Sequence, residues 1–260
     1  MGYYDGYLIL SDIDGTLTLQ GNEISPENLR ALRHFMDNGG YFTLATGRTT
    51  KFLPDFPIQP NAPLVAVNGT WVVDASGETL QFLPITDDPE SVIRYFLDSY
   101  PGIIKAYRFG RFDARIWFRE KDGTDLSLLL DKEEPCLKYY FTCENEPTAL
   151  RLMDDAIRRF GDRYEFNRSW ADGMEMHAKG SGKDAGLRFL RSWLPGIRTV
   201  IAVGNYENDI PMLRAADIGC AVGDAIDSVK EAADRVIVPC GEHALACIIE
   251  QMIPSLKETS

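Results

Sequence analysis

Four short apolar runs in this chain each break into a polar or glycine-bearing segment, and that repetition limits the folds it can adopt. Tyr7-Leu8-Ile9-Leu10 leads to Ser-Asp-Ile-Asp-Gly-Thr, and Tyr41 to Ala45 leads to Thr46-Gly47-Arg48. Leu64 to Val67 leads to Asn68-Gly69, and Thr199 to Gly204 leads to Asn205-Tyr206-Glu207-Asn208-Asp209. Apolar runs of this length, bounded by turn residues, predict buried strands. Between the first two, Ser25-Pro26-Glu27 supplies an N-cap, a proline for the first helical position and an early acid. Leu29, Leu32 and Met36 then recur at helical spacing until Gly39-Gly40. Strand, helix, strand is the signature of a parallel sheet, and such sheets bind ligands where their strands end.

Near Pro84 the pattern changes. It predicts a helix near Pro89–Ser99, strands at Ile103–Phe109, Ala114–Phe118 and Leu137–Thr142, a helix near Thr148–Phe160, and strands at Tyr164–Asn167 and Gly173–His177. That order suits an α+β layer with antiparallel pairs. From Lys183 the alternation resumes, with a helix to Trp193, the strand Thr199–Gly204 and a helix near Asn208–Ala215. The strand "IGCAVG", a helix near Ile226–Ala232, the strand "RVIV" and a final helix over Ala244–Ile253 complete it. The expected organisation is a parallel-sheet domain from residues 1–83 and 179–260, interrupted by an inserted domain over 84–178.

Composition excludes some functions. The 260 residues carry 39 acids against 27 bases, a formal net charge of −12, which argues against nucleic acid as the main partner. Arg108, Arg111, Arg115 and Arg119 alternate with aromatics, but in so acidic a chain they read as the wet face of an ordinary sheet. No apolar stretch is long enough to span a membrane, and residues 1–11 lack the pattern of a secretory leader. Five cysteines, an odd number with no C-x-x-C pair, fit unpaired thiols in a cytoplasmic protein. Glu175 and His177, just before the chain returns to the core, fit the lining of a cleft, and for His177 a surface strand residue is the plainer reading. Gly182-Lys183 is not a phosphate-binding P-loop, because His177 and Asp184 stand where that pattern needs glycine and a hydroxyl.

Asp12 and Asp14, two apart on an extended chain, lie on the same side and repel unless a cation, a proton or positive dipoles compensate. Thr46 adds a hydroxyl, Arg48 and Lys183 add cations, and Asn205, Glu207, Asn208 and Asp209 add oxygen ligands suited to a hard metal. Those are the parts phosphoryl transfer requires. Taken singly, each has a plainer explanation: turns for the first two segments, a solvated helix start for Lys183, and helix capping for Asn205, Asn208 and Asp209. Arg48 fits either a substrate contact or a pair with surface acids, and Asn68 fits support of the turn with Gly69 ahead of a substrate contact.

In order, "DIDGT", "ATGR", "KGSGKDAG" and "GNYENDIPML" resemble the four motifs of the haloacid dehalogenase-like (HAD) hydrolases, most closely the Cof-type phosphatases with a large cap between the second and third motifs. The resemblance implies an α/β fold, a Rossmann-like parallel-sheet core with an inserted α+β cap domain that closes over the site and selects the leaving group. It implies a Mg²⁺-dependent phosphatase acting on a small phosphorylated metabolite, a sugar phosphate being favoured. Asp12 would be the nucleophile, Asp14 the general acid/base, and Thr46 and Lys183 catalytic partners. Thr46, Gly47, Arg48 and Lys183 would bind substrate, and Asp12, Asp14, Asn205, Asn208 and Asp209 would surround the metal. One departure stands out: the family's usual G-D-x-x-N-D has Asn205 at its first aspartate, which predicts weaker metal binding. The alternatives are a phosphomutase, or a catalytically weakened binding protein of the same fold. Oligomeric state stays open.

Overall fold

In the computed structural model, which describes residues 2–19 and 21–258, the first apolar run forms β1 (Tyr7–Ser11). Ser25 caps α1 (Pro26–Asp37), its hydroxyl accepting from the Asn28 N–H at 3.3 Å. The buried face of α1 is Asn28, Ala31, Leu32 and Phe35, so Leu29 and Met36, expected inward, lie half-buried at its margin. Asn28 is inside because its Oδ1 accepts from the Ala246 N–H at 3.0 Å, a partner no spacing rule reveals. Next come β2 (Tyr41–Leu44), β3 (Leu64–Ala66), β4 (Trp71–Val73) and β5 (Thr79–Phe82). The middle of the chain forms α2 (Glu90–Ser99), β6 (Ile103–Phe109), β7 (Ala114–Phe118), α3 (Arg119–Asp122), β8 (Lys138–Cys143), α4 (Glu146–Phe160), β9 (Tyr164–Asn167) and β10 (Gly173–Ala178). The last part forms α5 (Lys183–Trp193), β11 (Thr199–Gly204), α6 (Ile210–Ala215), β12 (Ile218–Ala221), α7 (Asp227–Ala232), β13 (Arg235–Val236), α8 (Ala244–Cys247) and α9 (Ile253–Glu258).

These elements sort into two units, Met1–Gln81 with Lys183–Ser260, and Phe82–Gly182. The first is built on a parallel sheet in the order β13-β12-β11-β1-β2. Leu8, Ile9 and Leu10 are fully buried, as a strand covered on both faces requires. The chain leaves β1 for a neighbour on one side and returns much later to the other, so the strand order reverses beside the end of β1. β3 departs from expectation. It pairs antiparallel with β4, which pairs with β5 in turn, and meets the parallel layer through one bridge, Ala45 to Val65.

The second unit is a sheet in the order β7-β6-β8-β10-β9, its paired strands antiparallel. Its core joins Val92, Ile93 and Phe96 of α2 and Leu152 of α4 to Phe141, Met174 and Met176 of the sheet. Alternation sends Glu175 and His177 to the other face. That face does not leave them wet: Glu175 is 3% and His177 1% exposed, which corrects the surface assignment of His177. Glu175 accepts from Lys138 Nζ at 2.9 Å and sits 3.0 Å from His177 Nε2. The arginine series is corrected too. Arg108 is 3% exposed, and Arg119 caps the carbonyls of Leu97, Tyr100 and Ile103. Among the described residues, Cys136, Cys143, Cys220, Cys240 and Cys247 are all free thiols, and no helix is long and apolar enough to cross a membrane.

Burial pushes the Glu175 carboxyl up, but Lys138 and His177 outweigh it and hold it down at about 2. Burial lowers His177, with Glu175 only partly restoring it. Both groups titrate below their unfolded values, so the unfolded chain takes up more protons as the solution is acidified. Stability is therefore complete above the ordinary histidine value of 6.5, falls as pH drops through it, and falls further from 4.5 toward about 2. Urea unfolding across this range should show that slope, and Glu175→Gln should flatten its acid limb while costing about 3 kcal/mol at neutral pH by taking a buried carboxylate from Lys138.

Candidate active site

The polar groups collect where β1, β2 and β11 end. The Asp12 N–H extends the ladder to the Val203 carbonyl at 3.0 Å, and the chain then coils tightly, the N–H groups of Thr16, Leu17 and Thr18 all donating to the Ile13 carbonyl. Gly15, at φ +78°, is required here twice over: its backbone is left-handed, and a Cβ would lie 2.3 Å from Asn205 Nδ2. Past β2, the Thr46 N–H donates to the Val65 carbonyl at 2.9 Å, and the Thr46 hydroxyl oxygen accepts from the Arg48 N–H at 3.1 Å. That leaves the hydroxyl hydrogen for another acceptor. Val67 and Asn68 both sit at φ +50°, a strained position for a β-branched residue. Two bonds hold the strain: Val67 N–H to the Arg48 carbonyl at 3.0 Å and Asn68 N–H to the Thr46 carbonyl at 2.8 Å.

Lys183 opens α5 and is fully enclosed. Its Nζ lies 2.6 Å from Asp12 Oδ1 and 2.6 Å from Asp209 Oδ1. The other Asp209 oxygen accepts the N–H groups of Asn205 at 2.9 Å and Tyr206 at 3.1 Å. Gly204 makes this possible, since a Cβ there would stand 2.4 Å from Asp209 Cβ. Burial pushes the Lys183 ammonium down, but the two carboxylates prevail and hold it above the ordinary lysine range. Burial pushes the Asp12 carboxyl up; Lys183 pulls it back, Asp209 and Asp14 push it up again, and the net shift is upward. One ammonium against two carboxylates leaves one negative charge uncompensated.

Asp14 belongs to a separate, half-exposed pair. Arg48 grips both its oxygens, Nε to Oδ2 at 3.0 Å and Nη2 to Oδ1. Arg48 also reaches Asn22 Oδ1 at 2.6 Å and the Gly21 carbonyl at 3.1 Å. Of the two roles left open for Arg48, the structure fills the pair with an acid, and the acid is Asp14. Asn22 went unnoticed in the sequence because nothing in its surroundings there sets it apart. Asn208 donates to Asn68 Oδ1 at 3.2 Å, and a Cβ on Gly47 would lie 3.4 Å from the Asn68 amide, so these three crowd beside Thr46.

The oxygens open to a cation are then few. Asp12 Oδ2 and the Asn205 side chain make no hydrogen bond among the described residues, whereas Asp14 and Asp209 spend their carboxylates on Arg48 and Lys183. Consistently, no group of three or more His, Cys, Asp or Glu side chains among the described residues is arranged to hold a metal. The uncompensated charge beside Lys183 favours a cation, and the groups left open, the Asp12 carboxylate and the Asn205 amide, offer oxygen with one formal charge between them. The set fits Mg²⁺, a hard ion, through few charged ligands. Removing the ammonium should be costly: Lys183→Met should lower unfolding free energy by about 3–5 kcal/mol, and adding Asp209→Leu should recover part of it, both measured by urea unfolding.

Residues 9–249 match the family described as haloacid dehalogenase-like hydrolase. The chain is 26% identical over 237 residues to the 5-amino-6-(5-phospho-D-ribitylamino)uracil phosphatase YcsE of Bacillus subtilis, with 88% of each chain covered. Among solved structures, it is similar to a HAD-superfamily phosphatase from Bacteroides thetaiotaomicron (TM-score 0.79, 21% identity, 96% of each chain). It is also similar to a HAD subclass IIB sugar phosphatase (TM-score 0.74, 20% identity, 94% of this chain and 98% of the other).

Proposed function

The chain belongs to the haloacid dehalogenase-like hydrolases and is a phosphatase, and on that premise we propose that it hydrolyses a small phosphorylated metabolite, a sugar phosphate, by way of Asp12. The observation that carries this reading is the Lys183 contact: Asp12 Oδ1 is held at 2.6 Å by a buried ammonium while Oδ2 has no hydrogen bond among the described residues. A carboxylate so held is oriented and has one oxygen ready to attack phosphorus. In the first step Asp12 Oδ2 forms a bond to phosphorus as the bond to the leaving oxygen breaks, and Asp14, having taken a proton from solvent once Arg48 releases it, gives that proton to the leaving oxygen. In the second step water attacks the aspartyl-phosphate, Asp14 takes the proton, and Asp12 and inorganic phosphate are released. Asp14 needs a free oxygen for this work. The arriving phosphoryl group competes for Arg48 and so loosens the pair. Thr46 donates its hydroxyl to the phosphoryl group, and Lys183 neutralises charge on Asp12 and the oxygens in transfer. When bound, Mg²⁺ would be held by the Asp12 carboxylate through the oxygen that does not attack, with the Asp14 carbonyl and Asn205, and would supply further positive charge to those oxygens. Asn208 and Asp209 act through their neighbours, Asp209 by fixing Lys183.

Substrate selection falls to the inserted unit, since all four motif segments lie in or border the other one. The sugar phosphate is supported by the names of two similar proteins, one for a phospho-D-ribitylamino compound and one a sugar phosphatase.

Hydrolysis of p-nitrophenyl phosphate at neutral pH tests the reading. Turnover should require Mg²⁺, stop with chelator, and fall at least about 10³-fold in Asp12→Asn. Metal-independent turnover, or an active Asp12→Asn, would sink it. A second measurement addresses Asn205. Asn205→Asp restores a charged oxygen, so its half-saturating Mg²⁺ concentration should be about tenfold lower than that of the unaltered chain. An unchanged concentration would remove Asn205 from the metal site.

A further inference from the structure

We propose that Asn68 is a positioning residue for phosphoryl transfer that, paired with Asn208, fixes Thr46 relative to Asp12, an inference that rests on Thr46 meeting the transferring phosphoryl group. Val67, Asn68 and Gly69 carry φ of 50°, 50° and 82°, and for a β-branched residue that region is a true outlier. Strain of this kind persists only where surrounding contacts impose it, and it gathers at functional sites. The bonds show what it secures here. Pairing of β1 with the end of β2 finishes as the Ala45 N–H donates to the Ser11 carbonyl at 2.8 Å, and the Thr46 N–H turns to Val65. Beyond that point the parallel sheet no longer holds the chain. The left-handed turn takes over, with the Asn68 N–H on the Thr46 carbonyl and the Val67 N–H on the Arg48 carbonyl.

The Asn68 side chain does a second job. It lies against Gly47, where a Cβ would stand 3.4 Å from the amide, and its Oδ1 accepts from Asn208 Nδ2 at 3.2 Å. Asn208 directly precedes Asp209, which holds Lys183, which holds Asp12. Thr46 and the nucleophile are thereby tied through Asn68, Asn208, Asp209 and Lys183, all of them buried. A residue that only shaped the turn would need its backbone alone. The bond to Asn208 adds nothing to the turn, but it sets where the hydroxyl of Thr46 stands when Asp12 attacks, and small errors in such a distance are costly in rate.

Asn68→Gly separates the two roles, because glycine takes the left-handed backbone freely and keeps both N–H bonds. With p-nitrophenyl phosphate its kcat should fall about tenfold at little-changed KM, and inhibition by orthovanadate, which mimics phosphorus in transfer, should weaken by about the same factor. Asn208→Ala should behave alike, and Asn68→Gly with Asn208→Ala should be no worse than either alone, since the two form one link. A kcat for Asn68→Gly within about twofold of the unaltered chain, or a double variant that falls by the product of the two singles, would overturn the proposal. Asp12→Asn, assayed beside them, keeps the two levels apart. If it is active, the reading of the site fails and this proposal with it; if it is inactive while Asn68→Gly is unimpaired, the role of Asn68 alone is lost.

Discussion

A single enclosed ammonium decides how the polar end of the parallel sheet can be built. Lys183 stands between Asp12 after β1 and Asp209 after β11, with the Lys183 and Asp209 side chains closed to water and Asp12 nearly so. Two carboxylates at these positions would not tolerate a shared interior without it. The surrounding details follow from that need. Gly204 lets Asp209 approach, the Asn205 and Tyr206 amides fill the oxygen that Lys183 leaves, and α5 begins where its first residue can reach inward.

The contrast with Arg48 and Asp14 is one of solvent. That pair is about a quarter to a third exposed, so its strength is modest and another anion can compete for it. Lys183 cannot be bargained with in the same way, because separating it from either carboxylate strands a buried charge. The end of the sheet thus combines a fixed ion pair that orients Asp12 with an exchangeable one that restrains Asp14. Both arise from the same reversal of strand order, which opens a crevice beside β1.

Much of this was legible in the sequence, and for identifiable reasons. α5 and β11 fall where their periodicity predicts, because caps and unbroken apolar runs are local signals. The residues gathered at the strand ends were also readable, since a polar segment after a buried strand is conspicuous. Long-range pairing was not. Asn28 reads as polar until Ala246 is seen beside it, and His177 and Arg108 read as surface until the fold encloses them. The left-handed Val67 runs against its own preference and is imposed by Arg48 and Thr46. The last helix, expected as one piece over Ala244–Ile253, contains a π turn at Ile248–Met252 and continues to Glu258. Pro254, which has no N–H to give, is the second residue after it, and an altered ladder just upstream of a proline is the physical expectation.

The placing of the inserted unit also bears on the order in which the chain becomes structured during synthesis. β1 emerges early, but its partner β11 puts Val200 opposite Leu8, so the central pairing of the first unit closes only after the whole insertion has been made. The insertion is a continuous segment whose strands are neighbours or near neighbours in sequence, and loop closure is correspondingly cheap. It can finish folding on the ribosome while the apolar strands Tyr7–Ser11 and Tyr41–Leu44 have only each other to pair with and the other edge of β1 waits for β11. A nascent chain of this design exposes its most aggregation-prone strands longest, and for that interval it depends on whatever shields unpaired apolar segments in the cell.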